Sequence, residues 1–378
     1  MSTTYNERLK QLRESVPHID IDEALQRTTT GGRMLDIREA DETAQGIIAN
    51  ATVIARGHLE SDINTDIPNA DTPIVVYCAT GVRSLFAAES LQSIGYTNVA
   101  SLDGGIEAWK QAGLPIEMPK QLNPAQSQRY SRHLRIPEIG VDGQQKLLDS
   151  KVLLIGAGGL GSPAGLYLAA AGVGTIGVID DDIVDASNLQ RQVLHRTHDI
   201  GSAKVESARR TIEALNPDVH VVMHQTRLIE ANSAEIFSNY DLIVDGSDSF
   251  ETRFIVNDAC VRLRIPQVHG SIFRFDGQIT TFDPRQDESP CYRCLFPTPP
   301  PPELAPNCAV AGVLGVLPGV VGTIQATEAI KMLLDLGEPL VGRLLMYDAL
   351  SMSFRSLKVR RDATCPACGT AQTAQVAD

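Results

Sequence analysis

Lys151-Val-Leu-Leu-Ile-Gly156-Ala-Gly158-Gly159-Leu-Gly161-Ser162 decides how this chain is read. Residues 151–155 form a short apolar run that reads as a buried strand. It enters a Gly156-x-Gly158-x-x-Gly161 turn, and a helical pattern rich in small residues follows over 162–171. Glycine lets the backbone turn tightly and approach phosphate oxygens, and the start of the helix offers unpaired N–H groups to an anion. A second strand pattern, 175–179, ends in Asp180, where an acid that holds a ribose is expected. Strand, turn, helix and acid in register point to a nucleotide.

Downstream, 219–223, 242–244 and 267–269 read as further strands, with helices over 203–215 and 252–263. Residues 273–282, turning at Asp276-Gly277, read as an antiparallel hairpin. The proline-rich run 297–306 reads as an extended crossing loop. Upstream lies a smaller alternation: strands 33–37, 74–78 and 99–102, helices 21–26, 82–94 and 106–112. Both blocks predict parallel α/β sheets. A polar, proline-containing stretch at 115–128 separates them, so the expected boundaries are 17–120, a linker at 121–128, and 129–370.

The nucleotide turn alone would also suit NAD and an oxidoreductase. The next segment favours a triphosphate. Ser187-Asn188-Leu189-Gln190-Arg191-Gln192 follows the ribose acid, and Lys204 heads a helix; such a group can neutralise charge on a leaving pyrophosphate. Asp245-Gly246-Ser247-Asp248 ends a strand, with Ser249 beside it. A carboxylate there, Asp248, suits Mg²⁺ on the phosphates.

Composition sets outer bounds. The chain has 378 residues, 43% hydrophobic and 21% charged, enough for two folded cores. Its net charge of −13 makes a nucleic-acid partner a poor expectation. Residues 1–13 lack an apolar secretory core, and the most apolar stretch, 309–330, is broken by glycines and Pro318, so neither a signal nor a membrane span is expected. Seven cysteines in such a chain suggest metal binding or thiol chemistry in a reducing cytoplasm.

Cys291-x-x-Cys294 and Cys365-x-x-Cys368 supply the four thiolates of a closed, structural Zn²⁺ site. Cys260, inside a helical pattern, reads as core. The eight histidines show no ligand spacing, with His195 and His198 on a loop, and the tail 371–378 reads as disordered. Cys78 ends a strand, and Ala79-Thr80-Gly81-Val82-Arg83 leads into a helix. Loop amides, the helix dipole and Arg83 favour an anion there, so the loop is a cradle with a nucleophile at its base. Four residues separate Cys78 from Arg83, a smaller ring than the five-residue loops that hold phosphate, and one suited to a persulfide sulfur.

Two resemblances follow. Leu35-Asp36-Ile37-Arg38-Glu39, Gly57-His58, the Cys78–Arg83 loop and Asp103-Gly104-Gly105-Ile106-x-x-Trp109 resemble the rhodanese family over residues 17–120. That resemblance implies a small parallel α/β domain whose Cys78 carries a persulfide, loaded by a donor such as a cysteine desulfurase. Arg129-Tyr130-Ser131-Arg132, the glycine turn, Asp180 to Gln192, Cys291–Pro297 and residues 312–331 together resemble the MoeB/ThiF family of ubiquitin-activating-like adenylating enzymes. It implies a Rossmann-type domain that uses ATP to adenylate the C-terminal glycine of a small ubiquitin-like sulfur carrier ending in Gly-Gly, the molybdopterin synthase small subunit being the first expectation and a thiamine or tRNA-thiolation sulfur carrier the alternative. By the same resemblance, Gly156, Gly158, Gly159 and Gly161 lie against the phosphates and Asp180 binds the ribose. Asn188, Arg191 and Lys204 contact the triphosphate, and Asp248 holds magnesium. Arg132 reaches the partner subunit of a homodimer, and Cys308 takes part in acyl or disulfide transfer. The family's acid two residues after that cysteine is Val310 here. The rhodanese part also stands first, where familiar fusions place it last.

Overall fold

The computed structural model describes residues 4–118, 122–298 and 312–369. The chain divides into two units, residues 1–121 and 122–378.

In the first unit the strands are β1 (His18–Ile19), β2 (Arg33–Asp36), β3 (Ile47–Ile48), β4 (Thr52–Val53), β5 (Ile74–Tyr77), β6 (Val99–Leu102) and β7 (Ile116–Glu117). Five of them make a sheet in the order β1-β6-β5-β2-β4, parallel at every pairing, while β3 and β7 pair antiparallel. All four residues of β5 are buried, as a central parallel strand covered on both faces requires. Alternation then sorts its side chains. Ile74, Val76 and Cys78 pack with Leu12, Leu35, Leu85 and Leu91 on one face; Val75 and Tyr77 pack with Met34, Leu102, Ile106 and Trp109 on the other. A helix not anticipated from the sequence, Tyr5–Ser15, buries Leu12, and its start is a capping box between Thr4 and Glu7.

In the second unit β8 (Lys151–Ile155), β9 (Thr175–Ile179), β10 (His220–His224), β11 (Leu242–Asp245), β12 (Gln267–Phe273), β13 (Asp276–Phe282), β14 (Arg343–Asp348) and β15 (Ser353–Lys358) form one sheet in the order β10-β9-β8-β11-β12-β13-β14-β15. The pairs from β10 to β12 are parallel, and those from β12 to β15 antiparallel. From β8 the chain runs outward through β9 and β10, then returns to the other side of β8 as β11. A crevice therefore opens at the carboxyl ends between β8 and β11. Register fixes it: Ile155 faces both Ile179 and Asp245, so Gly156, Asp180 and Gly246 emerge side by side.

Three further stretches differ from expectation, the first being the β12–β13 hairpin, which turns at Arg274-Phe275 with Arg274 at positive φ, while Asp276 and Gly277 already pair with Phe273 and Ile272. Asn123 caps a helix, Pro124–Arg129, inside the predicted linker, with Pro124 in the first turn where its missing N–H costs nothing. The glycine-broken apolar stretch contains an eighteen-residue helix, Leu317–Leu334. Pro318 stands in its first turn, and a Cβ on Gly322 would press on the Leu160 carbonyl, so that glycine serves close packing. The crossing loop falls largely, and Cys308 and the tail 371–378 wholly, outside the described residues. Among the described residues, no helix is long and apolar enough to cross a membrane.

Candidate functional site

The crevice of the second unit holds a cavity of about 410 Å³, the size of a small-molecule site. Gly156, Gly158, Gly159, Asp180, Arg191, Lys204, Asp248 and Ser249 line it, as the sequence suggested. Gly161 starts the helix Gly161–Ala171 behind the turn, and a Cβ there would collide with the Gly156 carbonyl oxygen, so the turn closes only on glycine. Asp180 holds this turn: its Oδ2 accepts the Ala157 N–H at 2.9 Å and its Oδ1 the Asp182 N–H at 2.9 Å. Burial raises the Asp180 pKa above the ordinary value, against the lowering effect of Lys204. Lys204 is almost wholly buried, and its Nζ meets Asp182 at 2.7 Å.

Ser187, Asn188, Leu189 and Gln190 do not line the cavity. Residues Ala186–Asn188 form a single 3-10 turn, closed by the Asp185 carboxylate on Ser187 and by Asn188 Oδ1 on the Asp185 amide. The turn's function visible here is to present Arg191, whose Nη1 donates to the Ser187 carbonyl at 3.1 Å. Arg132 is exposed and lies away from the cavity of its own chain.

Thr226, Arg227 and Arg253 of the cavity were not singled out in the sequence, and Asp182, Gln192 and Ser247 stood in the quoted motifs without a role. Beneath the cavity, His195 is buried; its Nε2 donates to the Ala157 carbonyl at 2.9 Å, so the two successive peptides that flank Ala157 are held, one by Asp180 and the next by His195. Burial lowers the His195 pKa, which keeps the ring neutral. Asp245, fully buried, anchors the loop bearing Asp248. It accepts from the Ser247 amide and hydroxyl, from Gln267 and from His269 Nδ1. Burial works against its charge, but these bonds prevail and hold its pKa below the usual value. Ser247 apart, these partners lie far from Asp245 and Ala157 in sequence, so only the folded sheet reveals them.

The four knuckle cysteines converge. Sγ–Sγ distances are 3.9 Å for Cys291–Cys294, 3.5 Å for Cys291–Cys365 and 3.4 Å for Cys294–Cys368. Tetrahedral Zn²⁺ at ~2.3 Å from each sulfur sets its thiolates about 3.8 Å apart, so the donor set fits. The Asp362 amide donates to Cys294 Sγ at 3.4 Å, the kind of support a metal-bound thiolate receives. Cys260 is core, as expected.

In the first unit Cys78 is 1% exposed at the end of β5. The Cys78 and Ala79 carbonyls accept the Ile106 and Glu107 amides at 2.9 and 3.1 Å. In a trans peptide the next N–H points the opposite way, so the Ala79 and Thr80 amides turn away from that helix. Among the described residues no acceptor meets them. Gly105 makes the approach feasible, because a Cβ on it would strike the Cys78 carbonyl. Cys78 Sγ lies 3.7 Å from Ser84 Oγ, which accepts from Ser101 at 2.8 Å. Arg83 faces the sulfur and is bound in two-pronged fashion by Glu42, at 2.6 and 2.7 Å. Glu42 was not anticipated.

The ThiF family profile matches residues 130–367, and the rhodanese-like domain profile residues 20–112. The SAMP-activating enzyme E1 of Haloferax volcanii is 52% identical over 252 residues, 67% of this chain and 92% of that protein. The probable adenylyltransferase/sulfurtransferase MoeZ of Mycobacterium tuberculosis is 51% identical over 66% of this chain, and the match spans 64% of its own length. The sulfur carrier protein adenylyltransferase of Thermus thermophilus is 52% identical over 65% of this chain and 92% of its own. Among solved structures, E. coli MccB with AMPCPP and MccA superposes with a TM-score of 0.55 at 25% identity, over 64% of this chain and 75% of that one. The chain thus belongs to the ThiF family, carries a rhodanese-like domain ahead of the ThiF domain, and is an enzyme of the adenylyltransferase and sulfurtransferase class.

Proposed function

We propose that the ThiF domain adenylates the C-terminal carboxylate of a small sulfur-carrier protein ending in Gly-Gly, and that Cys78 of the rhodanese-like domain supplies sulfur to the product. The observation that carries this reading is the convergence of the glycine turn, Asp180, Arg191, Lys204 and Asp248 on one cavity at the carboxyl ends of β8, β9 and β11. The names of the Haloferax and Thermus relatives support a protein carrier as the substrate, and the AMPCPP complex of MccB supports ATP.

The carrier's carboxylate attacks the α-phosphorus, an acyl-adenylate forms and pyrophosphate leaves. Catalysis is positioning and charge stabilisation. Turn amides and the start of the helix Gly161–Ala171 hold phosphate oxygens. Arg191 and Lys204 face the charge that grows on the leaving pyrophosphate, and Asp180 the ribose. Mg²⁺, when bound, would be held by the exposed carboxylate of Asp248 and would supply further charge neutralisation. Arg132 would complete the site from a second copy of the chain. The Cys78 persulfide then displaces AMP from the acyl-adenylate, giving an acyl disulfide. A thiol, for which Cys308 is the chain's own candidate, attacks the Cys78 sulfur of that acyl disulfide, releases the thiocarboxylate and leaves a disulfide on Cys78. The four-cysteine cluster holds a structural zinc. Molybdopterin synthesis is the first assignment for the carrier, and the cytoplasm for the protein.

The test is a pull-down of Gly-Gly-ended proteins with the full chain, with the carrier's mass read before and after ATP and a persulfide donor. Pyrophosphate release that depends on the carrier, and exchange of one carboxylate oxygen for sulfur that requires Cys78, are expected. No pyrophosphate with any Gly-Gly partner refutes the reading.

A further inference from the structure

The charge balance of the Cys78 cradle bears on which sulfur donor it takes. Two kinds of positive field are available: the Ala79 and Thr80 amides, which no acceptor meets among the described residues, and the Arg83 guanidinium. The second is largely cancelled. Glu42 binds Arg83 with both carboxylate oxygens, at 2.6 and 2.7 Å. It is itself held in place from behind. The buried Arg38, paired with the buried Asp36 at 2.6 Å, donates to the Glu42 carbonyl at 3.1 Å and the Gly46 carbonyl at 2.8 Å. Arg38 thus fixes the short helix Ala40–Thr43 against the end of β2. The pairing with Arg83 lowers the Glu42 pKa and raises that of Arg83, so both stay ionised at neutral pH. A cradle built to seize a dianion would leave its arginine free, since a guanidinium fork fits such oxyanions well. This one spends the fork on a resident carboxylate.

We infer that Glu42 is a specificity residue of the Cys78 loop: by compensating Arg83 it favours a hydropersulfide, whose transferable sulfur bears at most one negative charge, over a dianionic donor such as thiosulfate. The inference rests on the reading of Cys78 as the sulfur carrier. With a hydropersulfide the Cys78 thiolate attacks the outer sulfur of R–S–SH. The new S–S bond makes Cys78–S–SH, and R–S⁻ leaves with the electron pair of the old bond. With thiosulfate the same thiolate attacks the sulfane sulfur, giving Cys78–S–S⁻ and releasing sulfite. Charge balances in both. Only thiosulfate, however, brings two negative charges toward the Glu42 carboxylate.

The experiment compares full-length wild type, Glu42→Gln and Glu42→Asp, with thiosulfate and glutathione persulfide as donors. The readouts are sulfite release and the mass of the Cys78 peptide. Glu42→Gln keeps the shape and removes the charge. It is expected to lower KM for thiosulfate by on the order of tenfold, a modest charge effect at a half-exposed pair, and to raise the thiosulfate-to-persulfide efficiency ratio accordingly. Glu42→Asp keeps the charge and should keep the wild-type preference. A ratio that does not move in Glu42→Gln, or that moves equally in both variants, overturns the inference; a merely structural residue would depress both donors together. Failure of the wild type to load either sulfur, or equal loading of Cys78→Ser, overturns instead the reading on which it rests.

Discussion

Replacement of Lys204 by methionine separates the catalytic claim for this cavity from simple folding effects. The Lys204 side chain is only 7% exposed, whereas its partner, the Asp182 carboxylate, is 68% exposed. Methionine fills nearly the same volume, and an ion pair with one solvated member contributes below about 1 kcal/mol. The melting temperature is therefore expected to change by no more than about 4 °C. Catalysis should respond far more. An ammonium about 4 Å from developing phosphate charge, at an effective dielectric near 20, interacts by about 4 kcal/mol. Removing one such group from a preorganised site costs about 10²–10³ in rate. The assay is carrier-dependent ATP–pyrophosphate exchange at saturating ATP, with thermal unfolding measured in parallel. A folded variant that loses less than about tenfold, or ~1.4 kcal/mol, would refute the placement of Lys204 against the phosphates.

Other outcomes follow from the same geometry. Gly161→Ala should abolish nucleotide binding, measured by calorimetry, because the added Cβ meets the Gly156 carbonyl rather than a side chain that could move. Purified protein should carry zinc at the Cys291, Cys294, Cys365 and Cys368 cluster, read by chelator-triggered release; Cys365→Ser should lose it and several kcal/mol of stability. Asp199 gives a pH signature. Burial opposes its charge, but bonds from Arg210, the Arg196 amide and Ser207 prevail and hold its pKa at about 2. A depressed folded-state pKa stabilises above the unfolded value near 4 and loses that stabilisation as pH falls toward 2. Asp199→Asn should therefore cost on the order of 2 kcal/mol at pH 7, and the gap to wild type in urea unfolding should close between pH 4 and 2.

The nucleotide turn was legible because its signal is local: β8, four glycines and a helix stand in one run, and Asp180 follows the next strand. The Cys78 loop was legible for the same reason. The supports of both were not. His195 and Asp180 hold the two successive peptides that flank Ala157, and Glu42 reaches Arg83 from a separate helix, contacts that exist only once the sheet has formed. The helix Leu317–Leu334 was obscured by residues that usually break helices, yet Pro318 sits in its first turn and Gly322 admits a neighbouring backbone. The short turn around Asn188 read as a set of phosphate ligands, whereas the fold uses its polar groups to close the turn on itself.

The Ile106 and Glu107 amides, which donate to the Cys78 and Ala79 carbonyls, set the orientation of the loop that follows. Beside Arg83 and Ser84, main-chain orientation supplies part of the polarity of the sulfur pocket, and that part does not depend on which side chains stand at 79, 80 and 82. Substitutions at those three positions that keep the backbone path therefore leave the amide contribution in place.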